Sequence, residues 1–272
     1  MLRETTFPGG IKASVADVSG AERPPVLLIH GMFGGAWQFA GWQLRLAARR
    51  RSSVALDLRG HGASGASGAG GAGGAVTDIG RIRLNDYVGD ALAVARELGT
   101  PAVVGHSMGG LIAQKLAEKG AVSAAVLLCA APPRWISALG PTLLARMAKY
   151  VPALLFSRPL APRRPDADAL FLGRVPAAER DRIFERIQPE SGRAALELAL
   201  GTITVDPARV SCPLLSVGAA DDRFLPPRIA RAIARKYDCE YREYEDHGHY
   251  MVGEPGWERV ADDVTAWLAA QG

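Results

Sequence analysis

Gly105-His106-Ser107-Met108-Gly109 is a G-x-S-x-G pentapeptide, and no other window of the 272-residue chain matches it. It follows the short apolar run Ala102 to Val104 and precedes a segment with helical spacing, Leu111 to Lys119. A strand that turns this sharply into a helix leaves no room for side chains beside the turn. It also holds the serine in a strained conformation that projects its hydroxyl outward. The helix N-terminus beneath favours negative charge developing nearby. The chemistry implied is nucleophilic attack by Ser107, against the plainer alternative of a serine capping a helix.

A serine hydroxyl is a weak nucleophile at neutral pH and needs a base within hydrogen-bond reach. Five histidines are available. His30 and His61 sit in Gly-flanked segments, His106 lies inside the pentapeptide, and His247 and His249 share the late loop Asp246-His247-Gly248-His249-Tyr250. A third group must orient the base, and Asp221-Asp222 follows the apolar run Leu214 to Val217. Both the late loop and the acid pair come just after predicted strands. In an open parallel sheet, that is the edge where sites assemble.

The elements that must position these residues alternate. Val26 to Ile29, Val54 to Leu58, Ala102 to Val104 and Ala124 to Cys129 read as strands, with helices over Trp37 to Arg50, Asn85 to Leu98 and Leu111 to Lys119. Continuous apolar strands between amphipathic helices predict an α/β domain with a mostly parallel sheet. Before them, Glu4 to Phe7 and Ile11 to Val18 flank Pro8-Gly9-Gly10 as a hairpin. After Ala131 the alternation stops. Three helices are expected over Pro141 to Tyr150, Pro176 to Ile187 and Ser191 to Leu200, with an irregular connector from Arg158 to Pro165. The α/β pattern resumes with the strand Leu214 to Val217, a helix from Pro227 to Lys236, the strand Tyr241 to Tyr244 and a helix from Gly256 to Ala270. The Gly/Ala/Ser-rich stretch Ala63 to Gly74 lacks the lysine and the following helix of a phosphate-binding loop, so a surface loop is expected.

Composition narrows the function classes. The chain is 48% hydrophobic and 22% charged, with a net charge of +4. Its arginines are interleaved with acids, as in Arg180-Asp181-Arg182, rather than clustered as nucleic-acid binding requires. Cys129, Cys212 and Cys239 are odd in number and form no C-x-x-C pair, so neither a disulfide framework nor a zinc knuckle is indicated. His247 and His249 as zinc ligands lack a third ligand at helical spacing. The N-terminus has no apolar signal run, and the longest apolar stretch, Ala124 to Ala131, falls short of the roughly 20 residues that span a bilayer. A cytoplasmic protein with no membrane or nucleic-acid partner is expected.

Taken with His30-Gly31-Met32-Phe33-Gly34, Asp57-Leu58-Arg59-Gly60-His61-Gly62-Ala63-Ser64, Asp222-Arg223-Phe224-Leu225-Pro226, Gly248-His249 and Glu254-Pro255-Gly256-Trp257, the chain resembles a capped α/β-hydrolase of the small esterase type. The likeness runs over nearly the whole length, and the order Ser, Asp, His is that family's order. It implies an eight-stranded, mostly parallel sheet flanked by helices, with core residues 1–131 and 206–272 and a helical cap at 132–205. In such proteins the acid usually lies four residues before a proline and about nine after the proline opening its strand. Pro226 and Pro213 then both select Asp222 over Asp221. The base usually follows a glycine, which selects His249 over His247. The oxyanion hole would use the backbone N–H groups of Met32 and Met108, with Phe33 as the fallback for the former. Residues 57–64 are expected to brace the turn structurally.

Phe33, Trp37, Trp135, Leu139 and Tyr250 are candidates for a substrate pocket. The resemblance implies hydrolysis of small to medium apolar acyl or aryl esters by a monomer or small homo-oligomer, with no metal or organic cofactor. Lactonase, thioesterase, C–C bond hydrolase, acyltransferase and cofactor-free haloperoxidase or perhydrolase activities share the triad. Ser107 argues against the family's dehalogenases and epoxide hydrolases, which use aspartate. A hydrolase-like ligand-binding protein is the non-enzymatic alternative.

Overall fold

Residues 2–21, 23–66 and 78–271 are described in the computed structural model. Eight strands form one sheet. They are β1 (Arg3–Phe7), β2 (Ile11–Ala16), β3 (Val26–Ile29), β4 (Ser53–Leu56), β5 (Ala102–His106), β6 (Ala124–Leu128), β7 (Leu214–Ala219) and β8 (Glu240–Tyr244). Their spatial order is β1-β2-β4-β3-β5-β6-β7-β8. The first two pairings are antiparallel, and from β4 to β8 every neighbour is parallel. Strands β3 to β6 are buried along their whole length, which is why they read as unbroken apolar runs: helices cover both faces.

Helices α1 (Ala40–Ala48), α2 (Gly62–Ala66), α3 (Leu84–Glu97) and α4 (Met108–Glu118) interleave with the first six strands. One core packs the sheet against α3 and α4, through Tyr87, Leu111 and Leu116 among others. The opposite core holds Trp42 and Leu46 of α1.

Residues 132–205 contribute nothing to the main sheet. They form α5 (Pro141–Met147), α6 (Val151–Leu155), α7 (Arg164–Leu170), α8 (Ala177–Phe184) and α9 (Gly192–Ala199), plus a two-residue antiparallel bridge between Pro159–Leu160 and Glu190–Ser191. The chain then returns through β7, α10 (Pro227–Tyr237), β8 and α11 (Trp257–Ala270). Helix α10 joins the α3/α4 face through Ile229 and Ile233, and α11 joins α1 through Val264 and Leu268.

Several boundaries differ from expectation. The helix expected over 141–150 ends as a 3-10 turn at Ala148–Tyr150, and α6 follows at once. The stretch expected to be an irregular connector carries the bridge strand and the first turn of α7. Helix α7 buries only Asp166, Ala167 and Leu170, too few apolar positions for a helical period to show. Helix α4 begins at Met108 rather than Leu111. Of the expected Gly-rich loop, residues 63–66 belong to α2 and the remainder lies outside the described residues. No described helix is long and apolar enough to cross a membrane.

Candidate active site

Because β3, β5, β7 and β8 run parallel, the residues following each of them emerge at one edge of the sheet. Ser107 follows β5 directly, with φ 55° and ψ −118°. That left-handed φ costs a non-glycine residue about 1–3 kcal/mol and persists only where the surroundings enforce it. Here they do. The Ser107 N–H donates to Leu128 O at 3.0 Å, and its carbonyl accepts from Gly110 and Ala131, both at 2.9 Å. A side chain at Gly105 would overlap the Gly109 backbone, and one at Gly109 would overlap the carbonyls of Ile29 and His30. The pentapeptide's glycines are therefore demanded by close backbone approach.

The His249 Nε2 lies 3.1 Å from Ser107 Oγ, and its Nδ1 lies 2.8 Å from Asp222 Oδ2. The other oxygen of Asp222 accepts from the N–H groups of Phe224 (2.8 Å) and Leu225 (2.7 Å), which fixes the carboxylate plane. All three side chains are buried. Asp221 is turned away: half-exposed, it pairs with Arg174 at 3.1 Å. His247 packs edge-on against Tyr244 and does not approach Ser107's base. Among the described residues, the group with metal-ligand potential is Cys129, Asp222 and His249. There the aspartate and histidine are already engaged with each other, and His247 takes no part.

The loop carrying His249 is held from two sides. His106 donates from Nε2 to the His249 carbonyl at 2.7 Å, and burial, reinforced by His249, lowers the His106 pKa to about 3 and keeps it neutral. The Gly248 N–H donates to Glu254 Oε1 at 2.6 Å. Glu254 is fully buried, and that burial raises its pKa to about 7. Phe224 packs edge-on against the His249 ring at 5.1 Å between centroids, and Phe171 lies 5.9 Å away.

The loop after β3 supplies Met32 and Phe33. Their N–H groups and that of Met108 donate to no acceptor among the described residues. His30 anchors the loop, donating from Nδ1 to Gly31 O at 2.7 Å while its Nε2 accepts from Leu58 N–H at 3.1 Å. Burial, aided by the nearby His61, lowers its pKa to about 3. The Phe33 carbonyl accepts from Gln188 N–H at 3.1 Å, and Gln188 Oε1 accepts from Gly62 N–H at 2.6 Å, so the helical segment also grips this loop. The side-chain hydrogen bonds of Asp57 and Ser64 tie residues 57–64 to the loop after β3 and to β2 rather than to the serine turn itself. Asp57 accepts from Ala36 and Ala63, and Ser64 bridges the Asp57 carbonyl and Lys12 N–H.

Two cavities meet at Ser107. A narrow slot of about 40 Å³ is lined by Phe33, Trp37, Gln38, Phe171, Ile183 and Tyr250, among others. A larger one, about 350 Å³, runs beneath α5, α6 and α9 and is lined by Leu143, Met147, Leu154, Leu160 and Leu198, with Met32 and Phe224 shared between the two. Phe33, Trp37 and Tyr250 thus line the slot, and Leu139 the larger cavity. Trp135 lines neither. It is 84% exposed, with the Arg134 guanidinium stacked 4.4 Å over its ring. A tryptophan at an irregular position gives no sign in sequence of which way it faces. Phe171, which the sequence offers among its loop and cap aromatics, lines the slot, and so do Phe224 and Ile183, whose directions are set by how the loops and helices dock.

A model of the alpha/beta hydrolase family matches residues 26–263. The chain belongs to that family. It is 28% identical over 275 residues to the magnesium-chelatase 30 kDa subunit of Rhodobacter capsulatus, covering 96% of this chain and 92% of that protein. It is also 28% identical over 280 residues to a monoacylglycerol lipase of Mycolicibacterium smegmatis, covering 96% and 94%. A thermophilic esterase from Thermogutta terrifontis shares the fold at TM-score 0.68 and 22% identity, over 100% of this chain and 99% of that one. The family and its lipase relative support hydrolase activity, and the likeness to the esterase is one of fold.

Proposed function

We propose that the protein hydrolyses carboxylic esters of small to medium apolar acyl or aryl groups through an acyl-enzyme on Ser107. The observation that carries this reading is the continuous chain Ser107–His249–Asp222 at 3.1 and 2.8 Å, opening onto the larger apolar cavity. His249 Nε2 takes the Ser107 proton as Oγ attacks the ester carbonyl, and Asp222 stabilises the imidazolium that forms. The uncommitted N–H groups of Met108 and Met32 receive the oxyanion, each such donor being worth on the order of 10²–10³ in rate. His249 returns the proton to the departing alcohol. It then draws a proton from water, which attacks the acyl-enzyme, and passes that proton to Ser107 Oγ as the acyl–oxygen bond breaks and the acid is freed. Residues 132–205 act as a cap that walls both cavities and excludes water. Ser107→Ala should cut turnover of a short p-nitrophenyl ester by roughly 10⁴ or more and abolish labelling by a fluorophosphonate probe. Near-wild-type turnover in that variant would refute the assignment.

A further inference from the structure

Large apolar side chains left in solvent are concentrated in one part of this molecule. Among the described residues there are eight, and seven lie between residues 135 and 200. Trp135 (84% exposed), Phe156 (67%), Leu200 (66%) and Leu155 (63%) are the most open. Leu139, Leu144, Val151 and Leu200 are exposed and at the same time line the cavity that reaches Ser107, so they form its rim, while Leu155 and Phe156 close and follow the helix α6 that Val151 opens. Single exposed apolar residues mean little, whereas a group around the opening of an apolar cavity marks an interaction site.

In the chain segment that carries all of these residues but Leu200, the charge is of one sign. From residue 120 to 165 the chain has no aspartate or glutamate, but six cations: Arg134, Arg146, Lys149, Arg158, Arg163 and Arg164. The interleaving of acids and bases seen elsewhere in the chain stops here. Arg146 and Lys149 share the buried Asp166, and Arg164 pairs with Asp168 and Asp181. Arg134 and Arg158 have no carboxylate partner among the described residues. Their guanidinium groups lie over the exposed rings of Trp135 (4.4 Å) and Phe156 (5.6 Å). An aromatic ring with a cation held over its face suits the boundary between acyl chains and headgroups, where the ring meets the apolar layer and the arginine stays with phosphate.

We infer that this rim docks on an anionic phospholipid surface, with α6 and the adjoining aromatics lying in the interface. Unpaired cations around an apolar face are complementary to a layer that is negative outside and apolar within. A protein partner would more naturally offer carboxylates than a sheet of uniform negative charge over acyl chains. The expectation of no membrane partner rested on the lack of a spanning segment, and a surface-lying rim needs none.

Co-sedimentation of the full chain with phosphatidylcholine vesicles, with and without phosphatidylglycerol, tests this without depending on catalysis. Failure here therefore leaves the proposed hydrolysis standing, and the reverse holds too. The wild type should pellet with the phosphatidylglycerol vesicles, release as salt is raised, and show a blue shift in tryptophan emission that Trp135→Phe removes. The double variant Arg134→Glu/Arg158→Glu should lower partitioning roughly 30-fold or more, and Phe156→Ser about tenfold. Both should keep wild-type circular dichroism and turnover of a soluble short-chain ester. Wild-type protein that stays in the supernatant with both vesicle types overturns the inference. So does partitioning indifferent to these substitutions, or a dimer in sedimentation equilibrium that Phe156→Ser dissolves.

Discussion

Two buried histidines in this molecule are each set against a buried carboxylate, and the pairs have opposite surroundings. His249 meets Asp222 within the core at the sheet edge, and its second nitrogen faces Ser107 and open space. His61, from the core, lies 3.3 Å from Glu190, which precedes α9 in the helical segment. Glu190 also accepts from Tyr87 Oη and from Ser191 N–H, both at 2.6 Å, while Ser191 Oγ donates toward the carbonyls of Gly80 and Ile82. Neither His61 nor Glu190 has any exposed side-chain surface, and the serine beside them, Ser191, spends its hydroxyl on backbone carbonyls. Charge pairing alone does not make a site. In the proposed mechanism the first pair gains chemistry from a strained hydroxyl and a cavity, whereas the second fastens the inserted helices to the core.

Substitutions can separate the two roles. The largest expected effect is on the first pair: Asp222→Ala should lower ester turnover by about 10³-fold or more, because the imidazole loses both its orientation and its counter-charge. Asp221→Ala, which removes only a half-exposed ion pair with Arg174, should stay within about twofold. Equal losses in the two variants would place the acid wrongly.

The second pair should answer in stability. Glu190→Gln leaves His61 buried without its counter-charge and should cost about 3 kcal/mol in denaturant unfolding, with little change in turnover of the folded fraction. Burial alone would lower the His61 pKa, but Glu190 outweighs it and leaves the imidazole above its ordinary 6.5. Burial would raise Glu190, but His61, Tyr87 and Ser191 together bring it below its ordinary 4.5. A raised histidine contributes fully below its unfolded value and loses that contribution as pH climbs through the folded one. A lowered glutamate contributes fully above its unfolded value and loses it as pH falls through the folded one. The stability gap between wild type and Glu190→Gln should therefore be greatest between about pH 4.5 and 6.5 and shrink on either side. A gap independent of pH would mean that Glu190 acts through packing alone.

The smallest effect is on chain-length preference. Leu198→Trp fills part of the larger cavity and should reduce kcat/KM for p-nitrophenyl octanoate about tenfold relative to the acetate. An unchanged ratio would place the acyl chain in the other opening.

The sheet was legible because strands buried on both faces cannot avoid apolar runs, as in Val26–Ile29 and Ala124–Leu128. Ser107 was legible because tight backbone approach demands glycines at Gly105 and Gly109. The helical segment was harder to read. Helices as short as α6 and α7 have too few turns to display a period, and Trp135 faces solvent although its residue type suggests a pocket. His106 and Glu254 sat inside quoted motifs, yet their grip on the loop of His249 is a contact across more than a hundred residues in one case and a buried turn in the other.

By itself, the sequence determined the order of strands and helices, the strained serine turn and a short set of acids and bases, because local sterics and burial periodicity write themselves into neighbouring residues. Tertiary structure alone decided that His249 and Asp222 meet Ser107, that His61 meets Glu190, and that two cavities of different size flank the serine. Those outcomes depend on distances between residues remote in the chain. Such distances are set only when the sheet's parallel strands bring their ends to one edge and the inserted helices close over it.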